Sequence, residues 1–190
     1  MSSGTLPPTR QPREEVLEIT TETLPRRAGA APRVIGPRPH AQRSQNAPRD
    51  LQEELLHRVL ELPGVSEATS GVSVPGARAF VLNEGSAGGA PEAFQVGREF
   101  AHLHPPEDGS LHMTLPAEAA EAAYARGWGE PHPISGTPLI FGPRDDAELE
   151  VVWRLLRSSY EYATGQVTPE TPEANPGAGV ANHQRKGASE

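Results

Sequence analysis

The stretch REFAHLHPPEDGSLHMTLP, residues 98–116, is the most informative part of the sequence. Its apolar runs on either side of the turn PPEDGS predict two short strands joined as a hairpin. Because side chains alternate across a strand, His102 and His104 share one face. The same alternation predicts Phe100 on the histidine face and Leu103 on the opposite one.

The register of this hairpin decides where His112 points. If His112 pairs with His102, the three imidazoles share a face, whereas pairing with Leu103 directs His112 away. A turn with an odd number of residues, such as Pro105–Gly109, favours the first register. Five-residue hairpin loops that contain Gly are common enough to support it. We therefore expect a cluster of three histidines.

The sequence on either side of this hairpin predicts an α+β fold. Apolar residues at helical spacing predict a first helix capped by Asp50 and Glu53, an alanine-rich helix over 117–126 and a third helix over 145–164. Short extended segments predict strands at 65–69, 71–74, 77–82, 94–104, 111–115 and 137–141. This order is typical of a mainly antiparallel sheet with helices packed on one side.

The composition of the two ends differs from that of the middle. Residues 1–32 are rich in Pro, Thr, Arg and Glu, and residues 166–190 are similarly poor in large apolar groups. Such segments bury too little surface to offset the entropy of ordering. We expect a folded domain over 33–165, flanked by a disordered N-terminal tail and a disordered C-terminal tail.

Bulk properties exclude several function classes. The 190 residues carry a net charge of -8, which argues against nucleic acid as a partner. Without cysteine, disulfides, thiolate metal sites and a cysteine nucleophile are impossible. The N-terminus has no apolar signal core, and no apolar run is long enough to span a bilayer. We expect a cytoplasmic protein with no membrane partner.

Three chemistries suit the histidine segment. Imidazole titrates near neutral pH, so the first is acid–base catalysis by His102, His104 and His112 on a small-molecule substrate. The second is a metal site for Fe or Zn, with Glu107 as a further ligand, because His-x-His-x-x-Glu is similar to half of a cupin motif. The third is metal-free ligand binding. The alternative to all three is that these histidines are ordinary, partly exposed hairpin residues with no functional role.

Other residues are candidates for substrate binding. Arg98 precedes the cluster and could hold an anionic substrate. His132 and Trp128 lie in GWGEPHP, and His40 could reach the site from the N-terminal arm. Asp145 is expected to cap the third helix rather than to act in catalysis. The phosphate-loop, dinucleotide, nucleophile-elbow and HExxH motifs are all missing from the sequence.

Several strings together resemble the luciferase-domain family. They are VPGARAF (74–80), EAFQVGREFAHLHPPEDGSLHMTLP (92–116), GWGEPHP (127–133) and FGPRDDAELEVVWRLLRSSYEYATG (141–165). The H-x-H…GS-x-H string is the most specific of these. The resemblance covers roughly residues 33–165. Members of this family are widespread in bacteria and fungi, and its namesake is the luciferase of luminous fungi.

The resemblance implies a function as well as a fold. The namesake oxidises a hydroxylated styryl-pyrone with O2, without a metal or flavin cofactor. By resemblance, this chain is expected to be a bacterial, non-luminous, oxygenase-like enzyme that acts on a small ionisable ring compound. His102, His104 and His112 would deprotonate the compound and stabilise its anion. A histidine-ligated metalloprotein and a non-catalytic binding or interaction module remain alternatives.

Overall fold

The computed structural model of the protein describes residues 18–167, which form three α-helices, a short 3-10 helix at Pro91–Ala93 and eight short strands. The helices are α1 (Arg49–Leu60), α2 (Ala117–Ala125) and α3 (Asp146–Ala163). The strands are β1 (Val34–Ile35), β2 (Ala41–Gln42), β3 (Val65–Thr69), β4 (Arg78–Leu82), β5 (Glu99–Leu103), β6 (Leu111–Met113), β7 (Gly129–Pro131) and β8 (Pro138–Ile140). None of the helices in this range is long and apolar enough to cross a bilayer.

Six strands form one antiparallel sheet in the order β3-β4-β5-β6-β8-β7, and β1 pairs with β2 separately. All three helices contribute buried side chains to a single core with this sheet. α3 packs on β5, where Tyr160 lies with its ring centroid 6.2 Å from that of Phe100. The predicted α+β class, with an antiparallel sheet and helices, is confirmed.

The hairpin β5–β6 has the register that the odd-numbered turn predicts. His102 pairs with His112, and Leu103 pairs with Leu111. The amide of His104 donates to the carbonyl of Ser110, which closes the five-residue loop 105–109. This register places the three histidines on one face of the sheet.

Phe100, in contrast, faces the core, so its predicted placement beside the histidines is wrong. β4 and β5 lose register here, because Phe80 pairs with Ala101 while Val81 pairs with Glu99. Phe100 is the extra residue of a β-bulge, and a bulge interrupts side-chain alternation. The bulge sends the aromatic ring into the core and brings the side chain of Glu99 beside His102.

The folded unit begins earlier than residue 33. Ile19 and Leu24 are buried in the core, and the indole of Trp128 donates to the carbonyl of Pro25. Residues 18–32 are therefore packed on the domain, because two well-spaced apolar side chains suffice to anchor an otherwise polar segment. The predicted tails over residues 1–17 and 168–190 lie outside the described residues.

Element boundaries follow the sequence only in part, since the strand predicted over 94–104 is limited to Glu99–Leu103 and β7 (Gly129–Pro131) has no predicted counterpart. Asp145 caps α3 as predicted, since its side chain accepts from the amide of Glu148. At α1 the cap position is Pro48, without a side-chain cap, so the capping box at Asp50 is wrong. The segment 71–74, predicted as a strand, forms no strand, and the chain bends at 71–73 instead.

Candidate active site

Five imidazoles line a cavity of about 600 Å³. This volume lies within the range that small-molecule sites commonly occupy. The lining residues are Pro37, Arg38, Pro39, His40, Val72, Ser73, Val74, Gln95, His102, His104, His112, His132, Ile134, Ser135 and Thr137.

The sheet supplies three of the imidazoles. The ring centroid of His102 lies 5.4 Å from that of His104 and 5.5 Å from that of His112, and those of His104 and His112 are 5.2 Å apart. All three side chains are buried. The predicted cluster therefore exists, at the floor of the cavity.

The other two imidazoles come from segments distant in sequence. His40, just before β2, has its ring centroid 5.2 Å from that of His112 and 4.9 Å from that of His132. His132 follows β7 and lies 5.6 Å from His112, again between centroids. Both residues, predicted as substrate-binding from sequence, thus reach the cluster.

His102 is held by a buried carboxylate. Its Nδ1 lies 2.8 Å from Oε1 of Glu99, and this oxygen also accepts from the hydroxyl of Ser70. The other oxygen, Oε2, accepts from the amide of Gly71. Burial alone would raise the pKa of Glu99, but these hydrogen bonds outweigh it and lower the pKa below its usual value. Glu99 is therefore ionised and only accepts, so Nδ1 of His102 donates.

The second ring nitrogen of His102 is left for a ligand. Burial lowers the pKa of His102, although Glu99 opposes this effect. The ring is neutral near pH 7, so Nε2 carries a lone pair rather than a proton. This atom is buried and has no hydrogen-bond partner within residues 18–167. Buried polar atoms rarely stay unpartnered, which indicates a ligand or water at this position.

A second carboxylate holds His104 in the same way. Nδ1 of His104 lies 2.8 Å from Oδ2 of Asp108, whose other oxygen accepts from the amide and hydroxyl of Ser110. Burial would raise the pKa of Asp108, but the bonds from His104 and Ser110 lower it overall. The turn PPEDGS thus supplies an orienting acid as well as a connection.

His112 has no carboxylate partner. Its Nδ1 lies 3.2 Å from the carbonyl oxygen of Pro138, which can only accept, so Nδ1 donates. Burial, followed by the charges of the four neighbouring histidines, lowers the pKa of His112 to about 2. The ring is neutral throughout the physiological range, and its Nε2 also carries a lone pair.

His40 and His132 have different local roles. Nε2 of His40 lies 3.0 Å from Oε1 of Glu130, and its buried Nδ1 has no partner in the described part of the chain. His132 accepts from the amides of Ile134 and Ser135 through Nδ1, so it also shapes the adjacent turn. Burial, then the charges of His40 and Arg38, lowers the pKa of His132 despite its hydrogen bond to Pro37.

Three sequence candidates do not line the cavity. Trp128 is buried in the core, while Arg98 and Glu107 are exposed on loops. The cation at the cavity is instead Arg38, one residue before Pro39 in the N-terminal arm. Sequence reasoning offered no signal for Arg38, because its position depends on how the arm folds over the sheet.

The orienting acids Glu99 and Asp108 were also missed. Asp108 had a local signal, because an Asp two residues before Ser in a Gly turn is suited to an Asx-type hydrogen bond. Glu99 had no local sequence signal, because regular alternation places its side chain on the face opposite His102. Only the bulge brings the two side chains together.

The donor geometry does not favour a metal ion. Within residues 18–167, no group of three His, Asp or Glu side chains is arranged to hold one. Glu107, the proposed fourth ligand, is exposed, whereas the neighbouring Asp108 is committed to His104 and Ser110.

Residues 97–159 match the family model described as Luciferase domain. This range contains the hairpin β5–β6 with His102, His104 and His112, and most of α3. Over this range the chain is similar to the luciferase-domain family.

Curated relatives of the chain are fungal luciferases. The luciferase of Armillaria ostoyae is 36% identical over 76 residues, which cover 35% of this chain and 29% of the relative. That of Armillaria mellea is 32% identical over 83 residues, covering 39% and 31%. That of Neonothopanus nambi is 32% identical over 76 residues, covering 35% and 28%. The chain thus spans less than a third of the length of these relatives. No solved structure matches it.

Proposed function

We propose that this luciferase-domain protein binds a small ionisable ring compound in the histidine cavity and removes a proton from it, as the first step of an oxygenase-like reaction. The observation that carries this proposal is the Glu99–His102 pair, in which a buried carboxylate orients an imidazole whose Nε2 is unpartnered. A general base needs this combination of a fixed tautomer and a free lone pair.

The surrounding rings suit the anion that deprotonation produces. As Nε2 of His102 accepts the proton, the ring becomes an imidazolium that Glu99 stabilises. The Asp108–His104 pair, 5.4 Å away between imidazole centroids, offers a second oriented ring beside the developing charge. Neutral His112 adds no positive charge that would raise the cost of forming the imidazolium.

The oxygen step that we propose starts from the deprotonated ring. The deprotonated ring gives one electron to O2, and the resulting radical pair combines to form a carbon–oxygen bond. The peroxide anion then takes the proton back from the imidazolium. The sum is substrate C–H plus O2 to give C–OOH, so no external reductant is consumed. Positioning and deprotonation are the protein's contribution.

A chromophoric phenol tests the acid–base part. We expect 4-nitrophenol to bind and to shift towards its phenolate spectrum in the wild type, and to lose this shift in His102→Gln and His104→Gln. His57→Gln is the matched control, because His57 is exposed on α1 with 70% of its side chain accessible. An unchanged shift in the cavity variants would reject the histidines as base.

Oxygen uptake and metal content test the remaining parts. With 4-hydroxy-6-methyl-2-pyrone as probe, we expect O2 consumption that depends on His102 and persists after chelation. Stoichiometric Fe or Zn in protein purified without chelator, together with loss of uptake on its removal, would support the metalloprotein alternative. If a series of acidic ring compounds binds but none causes O2 uptake, the result would support the non-catalytic binding module instead.

A further inference from the structure

We propose that the ligand of this cavity carries a carboxylate, which Arg38 holds at the mouth while the ionisable ring lies against the histidines. The inference rests on the proposed function, since it assigns the opposite end of the same ligand. It identifies Arg38 as a residue that determines specificity, outside the segment 97–159 that matches the family model.

Charge distribution is the first argument. Among the lining residues within 18–167, Arg38 is the one Lys or Arg side chain, and none is Asp or Glu. The nearby acids are each committed to an imidazole, as Glu99 is to His102, Asp108 to His104 and Glu130 to His40. The open space therefore meets a guanidinium and imidazoles, which favours an anionic ligand.

The availability of Arg38 is the second argument. Some arginines of the fold are committed to acids, as Arg78 is to Glu53 and Glu67, and Arg144 to Glu148. Arg38 is exposed and makes no ion pair within the described residues. One unpaired guanidinium balances one negative charge and can bind a carboxylate through two parallel hydrogen bonds.

The apolar side chains around the mouth are the third argument. Four large apolar side chains are exposed among residues 18–167, and two of them, Val72 (54%) and Ile134 (60%), line the cavity. The other two lie next to lining segments: Ile35 is three residues from Arg38, and Val96 follows the lining residue Gln95. These side chains fit the ring or hydrocarbon body of a ligand between its two polar ends.

Depth separates the two ends of the ligand. His102, His104 and His112 are 2%, 3% and 6% exposed, whereas Arg38 lies on the exposed loop between β1 and β2. A ligand that reaches both must be elongated, with its acidic ring hydroxyl or C–H deep and its carboxylate near solvent. Ser73, Ser135 and Thr137 also contribute hydroxyl-bearing side chains to the lining of the cavity.

A matched acid and amide test this inference. We use 4-hydroxy-3-nitrobenzoate and 4-hydroxy-3-nitrobenzamide, which share the phenol chromophore and differ in the charge of the distal group. We expect the acid to bind the wild type about two- to fivefold more tightly, as an ion pair near the surface allows. The preference should disappear in Arg38→Gln, remain in part in Arg38→Lys and shrink at high salt.

Arg98→Gln is the matched control, since Arg98 is exposed but does not line the cavity. The phenolate spectrum of the bound amide reports the histidines separately. Equal binding of acid and amide, or a preference for the acid that survives Arg38→Gln, overturns the carboxylate inference. If the bound amide still shows the phenolate spectrum, the proposed function stands even then. Failure of both probes, and of their phenylacetic homologues with a longer reach, overturns the two proposals together.

Discussion

His102 and His112 face each other directly across the β5–β6 ladder, with ring centroids 5.5 Å apart, yet their environments differ. His102 is bound to the carboxylate of Glu99, whereas His112 is bound to the backbone carbonyl of Pro138. Only the first ring has a counter-charge for a captured proton. The pair thus combines a base with a neighbour that stays neutral, and this asymmetry leads to the first two predictions.

Stability should fall as the pH drops below about 6.5, the ordinary histidine pKa in the unfolded chain. Burial lowers the pKa of His112 to about 2 and also lowers that of His102, so between these values the unfolded chain binds more protons. Each such histidine removes up to about 1.4 kcal/mol of unfolding free energy per pH unit. Urea denaturation at several pH values measures the slope.

The variant His112→Gln provides the check on that slope. Its stability should depend less on pH, because one titrating group is gone, while His57→Gln should behave as the wild type does. A wild-type stability that is constant from neutral pH to about pH 5 would contradict the lowered pKa values of His102 and His112.

Glu99→Gln should weaken the base without emptying the site. Glutamine has nearly the same shape but keeps only one acceptor oxygen, whereas Ser70 donates to Oε1 of Glu99 and Gly71 to Oε2. It also cannot stabilise the imidazolium of His102 by charge. We expect the rate of proton removal to fall by about tenfold to a hundredfold. The unfolding free energy should drop by about 1–3 kcal/mol, because a buried charge-assisted hydrogen bond is lost.

Glu67→Gln is the control for this substitution. Glu67 also binds a basic group, Arg78, but its side chain is 37% exposed, so the loss should stay below about 1 kcal/mol. Stopped-flow measurement with the nitrophenol probe gives the rate, and denaturation gives the stability. Equal rates in wild type and Glu99→Gln would show that the carboxylate only fills space.

The histidine cluster could be predicted from sequence because its determinants are local. Strand alternation places His102 with His104, and the number of residues in the loop 105–109 fixes the partner of His112. The bulge at Phe100 could not be predicted, since it depends on how β4 and β5 pair over a loop of more than a dozen residues. That one extra residue reverses the predicted face of Phe100 and brings Glu99 to the site.

The residues that the N-terminal arm contributes to the cavity were even harder to predict from sequence. His40 was named as a candidate by reach alone, and nothing in the sequence around Arg38 marks it as part of the cavity. Their positions depend on tertiary packing, in which Nε2 of His40 lies near Glu130, ninety residues away. Local patterns carry no information about such contacts.

Leu24→Ala tests whether the arm before residue 33 is part of the folded unit. Leu24 is 1% exposed within the core, so truncation should cost about 2–4 kcal/mol of unfolding free energy. Val96→Ala, at a residue that is 44% exposed, should change stability by less than about 0.5 kcal/mol. A neutral Leu24→Ala would mean that residues 18–32 do not dock on the domain in solution.

Gly109→Ala should disrupt the turn that positions His104. Gly109 has a φ of +72°, and a Cβ there would lie 2.6 Å from Nε2 of Gln52 and 3.0 Å from Cβ of Ala47. Gln52 cannot yield easily, because it is buried and its amide donates to the carbonyls of Ala47 and Pro106. We expect a loss of about 2–4 kcal/mol from left-handed backbone strain and overpacking together.

Gly97→Ala separates these two causes. Gly97 also has a positive φ, +56°, but nothing lies within 4 Å of a Cβ there, so only the backbone strain of about 1 kcal/mol remains. The site should respond differently as well, because Gly109 lies between Asp108 and Ser110, which together hold His104. The imidazole NMR signals of His104 should therefore shift in Gly109→Ala and stay in place in Gly97→Ala. Similar losses in the two variants would mean that the clash is relieved by movement of the loop 105–109.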